Sequence, residues 1–258
     1  MTRKKNALIL LAGGSGTRMC SDKPKQFMEL NGKPLIWYSL NAAQKSDLID
    51  EIVIVGSPDH FNELRNITDR FGFDKVSHIV GGGAERYLSV INGVKGLFES
   101  GTGCETFSGS PEVILVHDSA RPFLTDEIII RCLEGVGKTG ACVAAVPSKD
   151  TVKLADEDGM VTEEPPRKNV WNMQTPQVFD AKLLKKACDL ALKELQKCSA
   201  SKSEMPAITD DAQMVRLFTD NPVKLVMGSY ENIKVTTPVD MLIAEKILEN
   251  GGKSGHIS

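Results

Sequence analysis

Residues 11–26 combine three glycines with a group of cationic side chains. The segment reads Leu-Ala-Gly-Gly-Ser-Gly-Thr-Arg-Met-Cys-Ser-Asp-Lys-Pro-Lys-Gln and follows an apolar run at 7–11 that predicts a buried strand. Glycines leave backbone N–H groups accessible, so such a loop can wrap closely around an anion. Arg18, Lys23 and Lys25 add positive charge. The combination favours binding of a polyphosphate.

The sequence of this segment excludes two familiar phosphate-binding loops. A Walker A loop needs G-x-x-x-x-G-K-[ST], but Gly16 is followed by Thr17 and Arg18, so the lysine and the metal-binding hydroxyl are missing. A dinucleotide fingerprint needs G-x-G-x-x-G, and Met19 stands where its third glycine belongs. The loop therefore has to be interpreted together with the other polar segments.

A second glycine-rich loop, residues 81–89, follows another apolar run and reads Gly-Gly-Gly-Ala-Glu-Arg-Tyr-Leu-Ser. Its glycines would let a flat base approach the backbone, and Ser89 could hydrogen-bond the edge of that base. The alternative is a plain turn between a strand and a helix, which two glycines would serve as well as three.

The segment His117-Asp118-Ser-Ala-Arg121-Pro122 ends the most apolar predicted strand. An Asp at the carboxyl end of a strand, facing a triphosphate, is a natural Mg²⁺ ligand, because Mg²⁺ favours one or two carboxylates plus phosphate oxygens. Arg121 fixes a cation close by. The alternative for Asp118 is a turn cap.

Later in the chain, Arg167 and Lys234 lie in short polar segments beside apolar runs. Both could grip a second phosphate, the Arg as a bidentate fork and the Lys as a point charge. Thr175 and Thr209 belong to similar polar segments. Taken alone, each cation is better explained as a surface charge.

Apolar runs and helical patterns alternate along the chain, which positions these segments at strand ends. Strands without polar alternation, separated by helices, predict a twisted, mostly parallel sheet flanked by helices in a Rossmann-like α/β fold, with the whole chain 1–258 as one domain. The predicted strands cover 7–11, 52–55, 76–80, 113–116, 141–146 and 223–227, and the predicted helices 35–45, 59–71, 85–98, 125–136, 181–197, 210–219 and 238–250.

Residues 147–170 break this alternation, because they carry two short alternating strands around an Asp-Gly turn. Such a hairpin is too small and polar to bury its own face. We expect a protruding arm that packs on another subunit of a homodimer, with a surface ribbon on its own subunit as the alternative.

The overall composition narrows the class of protein. The 258 residues are 41% hydrophobic with a net charge of −3, so no basic face for nucleic acid is expected. No apolar run approaches the roughly 20 residues that span a membrane. The six cysteines form no C-x-x-C pair, and the N-terminus shows no cleavable signal pattern. We expect a cytoplasmic protein that acts on small molecules.

Together, the motifs resemble the 2-C-methyl-D-erythritol 4-phosphate cytidylyltransferases of the non-mevalonate isoprenoid route. The resemblance runs from residue 7 to about 248, through LAGGSGTRM, PKQF, GGAERYLSV, VHDSARPF, DTVK, NMQTPQVF, TDDA and ENIKVTTP. It implies a nucleotidyltransferase that uses CTP and Mg²⁺: the substrate's phosphate attacks the α-phosphorus of CTP and releases pyrophosphate. No covalent enzyme intermediate is needed, so catalysis rests on positioning and charge stabilisation.

The resemblance also implies roles for individual residues. Charge on the reacting phosphates would be stabilised by Arg18 and Lys25, with Arg167 and Lys234 as further catalytic cations. The nucleotide would be held by Ala12, Gly13, Gly14, Gly16, Gly83, Ser89 and, through Mg²⁺, Asp118. The sugar-alcohol phosphate would be held by Arg121, Thr151, Arg167, Thr175, Thr209 and Lys234, with the region of residue 151 lent by the neighbouring subunit.

Three alternatives stay open. The opening Leu11-Ala-Gly-Gly and the Ser119 that follows Asp118 resemble ribitol-5-phosphate cytidylyltransferases of teichoic-acid synthesis. A nucleotide-binding regulatory protein could keep the fold without turnover, although the full set of cations argues against it. A sugar-1-phosphate nucleotidyltransferase shares the first loop but not the late Gln-Thr-Pro-Gln and Asn-Ile-Lys-Val-Thr segments.

Overall fold

The computed structural model describes residues 5–14, 19, 23–98, 110–201 and 203–254. The strands are β1 Asn6–Ala12, β2 Glu29–Leu30, β3 Lys33–Pro34, β4 Glu51–Gly56, β5 Val76–Gly81, β6 Val113–Asp118, β7 Ala141–Pro147, β8 Leu154–Ala155, β9 Val161–Glu163, β10 Trp171–Asp180 and β11 Lys224–Met227. The helices are α1 Leu35–Lys45, α2 Phe61–Phe71, α3 Arg86–Phe98, α4 Asp126–Thr139, α5 Ala181–Ser201, α6 Asp211–Thr219 and α7 Pro238–Ser254.

Seven strands form one mixed, mostly parallel sheet in the order β11-β7-β10-β6-β1-β4-β5. The pairs around β1 and β4 and the pair β11–β7 are parallel, whereas β10 runs antiparallel to both β6 and β7. All the predicted strands and helices are present, which confirms the expected α/β class with helices on both faces.

Alternating side chains of the central strand bury both faces of the sheet. Leu8 and Leu10 pack against helices α1, α2 and α4 on one face. Ala7 and Ile9 pack against α3, α5 and α6 on the other. Helix α3 lies especially close to the sheet, since a Cβ at Gly93 would be only 2.7 Å from Cγ2 of Ile9. This packing fixes the start of α3 against the carboxyl ends of β1, β4 and β5.

The long antiparallel strand β10 is absent from the sequence-based assignment. Its centre holds the polar residues Gln174, Thr175 and Gln177 around Pro176, which lacks a backbone donor, and the register with β7 shifts between Met173 and Gln177. These polar side chains are nevertheless buried and hydrogen-bonded to other segments. Periodicity therefore missed the strand because its buried positions are polar.

The predicted hairpin is confirmed as β8 and β9, which pair with each other in a separate two-stranded sheet. Gly159 in its turn has a φ of 82°, a left-handed conformation that glycine adopts without a Cβ penalty. Both strands are exposed along their whole length. Among the described residues, no helix combines the length and apolar character that crossing a membrane requires.

Candidate functional site

A cleft of about 530 Å³ opens where β1, β4 and β6 end. It is bounded by Gly13 and Gly14 after β1, by residues 83–86 at the start of α3, and by residues 118–120 at the end of β6. Lys25 and Lys234 also line it. The parallel strands thus bring the two glycine loops and the acidic motif to one edge of the sheet, as expected for ligand sites in open α/β folds.

Lys25 lies beside the first glycine loop. A Cβ on Gly14 would lie 3.6 Å from Cε of Lys25, so the lysine stem runs beside the loop. The neighbouring Gln26 is buried, and its side-chain amide donates to the carbonyl of Ala12 over 2.9 Å. Gln26 therefore connects the short 3₁₀ helix Lys25–Phe27 to the end of β1 and holds the backbone of Lys25 beside the first glycine loop.

The second glycine loop closes on the first turn of α3. The N–H of Gly83 donates to Oγ of Ser89 over 3.0 Å, and that hydroxyl donates to the carbonyl of Glu85 over 3.3 Å. A Cβ on Gly83 would lie 2.3 Å from Cβ of Leu88, so a larger residue cannot occupy this position without displacing the helix. The loop therefore presents bare backbone to the cleft beside the Ser89 hydroxyl.

Asp118 is the charged centre of the cleft. Its Oδ1 accepts from the Arg86 guanidinium and its Oδ2 lies 2.7 Å from Nζ of Lys234. Burial alone would raise the pKa of this carboxyl, but the charge of Arg86, then that of Lys234, and their hydrogen bonds outweigh burial and hold the pKa well below its usual range. Asp118 is therefore an anion balanced by two cations.

Arg86 also contacts a second acid. Its other terminal nitrogen lies 2.9 Å from Oδ2 of Asp211, whose side chain is fully buried at the first residue of α6. Burial raises the pKa of Asp211 to about 6, and the charge of Arg86 opposes the rise. Neither Arg86 nor Asp211 was assigned a role from the sequence. A signal was available, because a cation at the first residue of a helix is disfavoured by the helix dipole and so calls for a nearby acid.

Behind Asp118, three polar residues form a buried relay. The N–H of Asp118 donates to Oγ1 of Thr175 over 3.1 Å, and that hydroxyl lies 2.9 Å from Nδ1 of His117. Nε2 of His117 lies 3.1 Å from the carbonyl of Arg121, which can only accept, so Nε2 carries the proton and Nδ1 accepts from Thr175. Burial lowers the pKa of His117 to about 4, which keeps the imidazole neutral.

Arg121 supports the same end of the sheet. Its side chain is buried and donates to the carbonyl of Asn232 over 2.7 Å and to that of Met173 over 3.2 Å. Asn232 in turn donates from its amide to the carbonyl of Thr175 over 2.8 Å. The Asn-Ile-Lys segment that carries Lys234 is therefore anchored to β6 and β10.

The structure brings together part of the predicted site. Lining the cleft are Gly13, Gly14, Lys25, Gly83, Ser89, Asp118 and Lys234. Three predicted residues are buried beside or behind this lining, namely Ala12, Arg121 and Thr175. Three others are exposed and do not belong to this lining, namely Thr151, Arg167 and Thr209, the first two at the ends of the arm segment. Arg18 and Gly16 lie outside the described residues.

Asp118 and Glu85 are the acidic side chains among the described residues that line the cleft, and Asp118 is the one that contacts Arg86 and Lys234, which suits a Mg²⁺ ion bound together with phosphate oxygens. In the described part of the chain, no group of three or more His, Cys, Asp or Glu side chains could hold a metal ion. Mg²⁺ commonly takes one or two carboxylates and completes its shell with phosphate oxygens and water. Asp118 fits that donor set.

Comparison with known proteins agrees with this geometry. The family model for 2-C-methyl-D-erythritol 4-phosphate cytidylyltransferase matches residues 6–250. The chain belongs to this family. A relative of that name from Lachnospira eligens is 43% identical over 93% of this chain and 97% of its own length. A second, from Lachnoclostridium phytofermentans, is 39% identical over 95% of this chain and 97% of its own.

Solved structures of the family have the same fold. The crystal structure of 4-diphosphocytidyl-2C-methyl-D-erythritol synthase from Anaerococcus prevotii superposes with a TM-score of 0.75 at 31% identity, covering 95% of this chain and 99% of that one. These relatives carry the methylerythritol name, which confirms the family resemblance in the motifs and favours it over the ribitol alternative.

Proposed function

We propose that this protein transfers a cytidylyl group from CTP to 2-C-methyl-D-erythritol 4-phosphate, giving 4-diphosphocytidyl-2-C-methyl-D-erythritol and pyrophosphate. The observation that carries the proposal is the cleft itself, in which Arg86 and Lys234 contact Asp118 between two glycine loops and Lys25 belongs to the same lining. Such a site suits a magnesium-bound triphosphate and a second phosphate. Membership of the cytidylyltransferase family supports the choice of nucleotide and acceptor.

The reaction needs no covalent intermediate, so the residues act by positioning and by stabilising charge. An oxygen of the acceptor's phosphate attacks the α-phosphorus of CTP, and the bond to the bridging oxygen breaks as pyrophosphate leaves. Lys25, together with Arg18, stabilises the growing charge on the α-phosphate and pyrophosphate. The backbone of residues 12–16 cradles the triphosphate, while Gly83 and Ser89 contact the cytosine.

We assign Mg²⁺ binding to Asp118, because its carboxylate lines the cleft and keeps its charge. When bound, the ion would neutralise phosphate charge. Asp118→Asn removes the anionic ligand and is expected to shift the Mg²⁺ titration of activity to concentrations about 10-fold higher or more. Asp69, exposed near the end of α2, offers the matched control Asp69→Asn, which should leave the titration unchanged. A titration that does not move in Asp118→Asn would contradict the metal assignment.

The acceptor's phosphate is assigned to Lys234 and Arg167, with Arg121, Thr175 and Thr209 in supporting positions and Thr151 supplied by a partner's arm. The arm is suited to pack on another copy, because Leu154, Met160 and Val161 are exposed on it. We therefore propose a homodimer. Met160→Asp should lower the dimer fraction in sedimentation velocity, whereas Val239→Asp, at an exposed apolar position on α7, should not. Equal effects of the two variants would contradict the arm's role.

The substrate test measures pyrophosphate release with CTP and Mg²⁺, offering methylerythritol 4-phosphate and ribitol 5-phosphate in parallel. Release with the first alone is expected. Preference for ribitol 5-phosphate would overturn the acceptor assignment but leave the nucleotide site standing. Release with neither would overturn the catalytic proposal and favour a regulatory nucleotide-binding protein.

We further propose that the chain is a single domain, since both faces of one sheet carry its two main apolar clusters. A cytoplasmic location is proposed as well. The free thiols of Cys132, Cys142, Cys188 and Cys198, all buried, fit a reducing compartment.

A further inference from the structure

Two cations, Lys234 and Arg86, contact the Asp118 carboxylate, and they differ in how firmly their own side chains are fixed. Lys234 reaches Oδ2 through one contact of 2.7 Å at the end of a flexible stem, and its side chain is 39% exposed. Arg86 has a side chain 27% exposed, and its planar guanidinium forks between Oδ1 of Asp118 and Oδ2 of Asp211. A guanidinium fork fixes geometry in a way that an ammonium point charge does not.

Asp211 anchors the far side of Arg86. Its side chain is 0% exposed, and its Oδ1 is buried without a hydrogen-bond partner in the described part of the chain. If Arg86 moved away, this carboxylate would be left as an unpaired buried charge, which is strongly unfavourable. Arg86 is therefore tied to a fixed point on α6, whereas Lys234 is free to exchange one anion for another.

We propose that Arg86 is a positioning residue for the reaction. Anchored on Asp211, it holds Oδ1 of Asp118 in place. Oδ2 of Asp118 is then the oxygen that would bind a divalent cation once Lys234 moves to a phosphate. The pair Arg86–Asp211 thus sets the orientation of the cleft's only assigned metal-binding carboxylate. This inference rests on the proposed function, because it takes the metal and the transferred phosphate from it.

Arg86, Asp211 and Asp118 each stand at the end of a helix or strand beside the cleft. Arg86 opens α3 directly after the base-contacting loop, Asp211 opens α6, and Asp118 ends β6. The fork therefore links three elements that border the cleft. Positioning groups behind a metal ligand commonly change metal affinity or turnover by 10- to 100-fold when they are altered.

The test compares Arg86→Lys, which keeps the charge but loses the fork, with the control Arg65→Lys on α2. Binding of Mn²⁺ to the enzyme with CTP and no acceptor is measured by electron paramagnetic resonance, and steady-state kinetics give kcat and KM. In Arg86→Lys we expect the Kd for Mn²⁺ to rise about 10-fold and kcat to fall about 10-fold or more, with the KM for CTP within about 3-fold. Arg65→Lys should match the wild type.

A second variant guards against misfolding. Arg86→Gln combined with Asp211→Asn removes both charges, leaves no buried carboxylate unpaired, and should show the same loss of Mn²⁺ affinity and kcat. Wild-type values in this double variant would overturn the proposal. A rise confined to the KM for CTP in Arg86→Lys would also overturn it, since Arg86 would then bind nucleotide directly. If the wild type itself releases no pyrophosphate, the proposed function fails, and the Mn²⁺ measurement still decides the role of Arg86.

Discussion

Replacing Gly83 with alanine is expected to lower kcat/KM for CTP about 100-fold. The new Cβ would lie 2.3 Å from Cβ of Leu88 and 3.1 Å from its carbonyl carbon, and atoms that belong to the helix backbone cannot rotate away. Ordinary contact begins near 3.4 Å, so the loop and the first turn of α3 must separate by roughly 1 Å.

A shift of that size acts on the groups that the helix start carries. The Ser89 hydroxyl loses its bond from the Gly83 N–H, and Arg86 moves relative to Asp118. A misplacement of about 1 Å in positioning groups can cost about 100-fold in rate, which corresponds to about 2.7 kcal/mol of transition-state stabilisation. The assay is steady-state pyrophosphate release at saturating acceptor, with Tm measured on the same preparations to record any loss of stability.

Gly81→Ala is the matched control. Gly81 is the last residue of β5, two positions before Gly83, and among the described residues its Cβ would meet Cγ of Pro58 at 3.7 Å, an ordinary contact. Neither glycine has a φ in the left-handed region, so the two variants differ in the clash and not in backbone strain. Gly81→Ala should stay within about 3-fold of the wild type. If Gly83→Ala behaves like Gly81→Ala, the steric reasoning is refuted.

Three further outcomes are expected. Lys25→Ala should lower kcat far more than CTP affinity, because the interaction of Lys25 with the phosphates strengthens in the transition state. Lys186→Ala, at an exposed position, is the control. An unchanged kcat in Lys25→Ala would contradict the catalytic role of Lys25. Thr175→Val leaves the N–H of Asp118 without its acceptor and should destabilise the fold by about 1–3 kcal/mol in urea unfolding, which an unchanged midpoint would contradict. His117 has a folded pKa of about 4 against an ordinary 6.5, so the unfolded state binds the proton first. The contribution of His117 to the free energy of unfolding is therefore full above about pH 6.5 and is lost, by up to about 3 kcal/mol, as the pH drops to about 4. Because the raised pKa of Asp211 gives the opposite slope, the test is the difference between His117→Asn and the wild type in urea unfolding, and a difference that stays constant from about pH 7 to about pH 4 would contradict the reasoning.

Much of the fold could be predicted because its parallel strands are apolar and its helices regular. β1, β4 and β6 are buried on both faces, so they appear in the sequence as continuous apolar runs between helices. β10 could not be found in this way. Its buried Gln174, Thr175 and Gln177 satisfy hydrogen bonds from other segments, and only the folded chain shows which.

The residues that line the cleft could be predicted where their types are ones that bind phosphate or metal ions. Glycine loops, Lys25 and Asp118 are recognisable because a phosphate or a metal needs those groups. Arg86 was not assigned although it stands in the same loop, since its partners Asp118 and Asp211 lie 32 and 125 residues further along. Its role depends on a contact and not on a spacing.

The residues that hold the site are buried polar groups, which explains why they escape sequence patterns and why they matter. His117, Thr175 and Arg121 contact one another or the backbone behind Asp118, and each is at least nine-tenths buried. Water cannot replace a lost partner there, so each substitution leaves another group unsatisfied. The Asp118 carboxylate is consequently fixed from behind by this relay and from the side by the Arg86–Asp211 pair. Lys234, the more exposed cation on the cleft side, is the contact that a ligand can displace without disturbing the buried network.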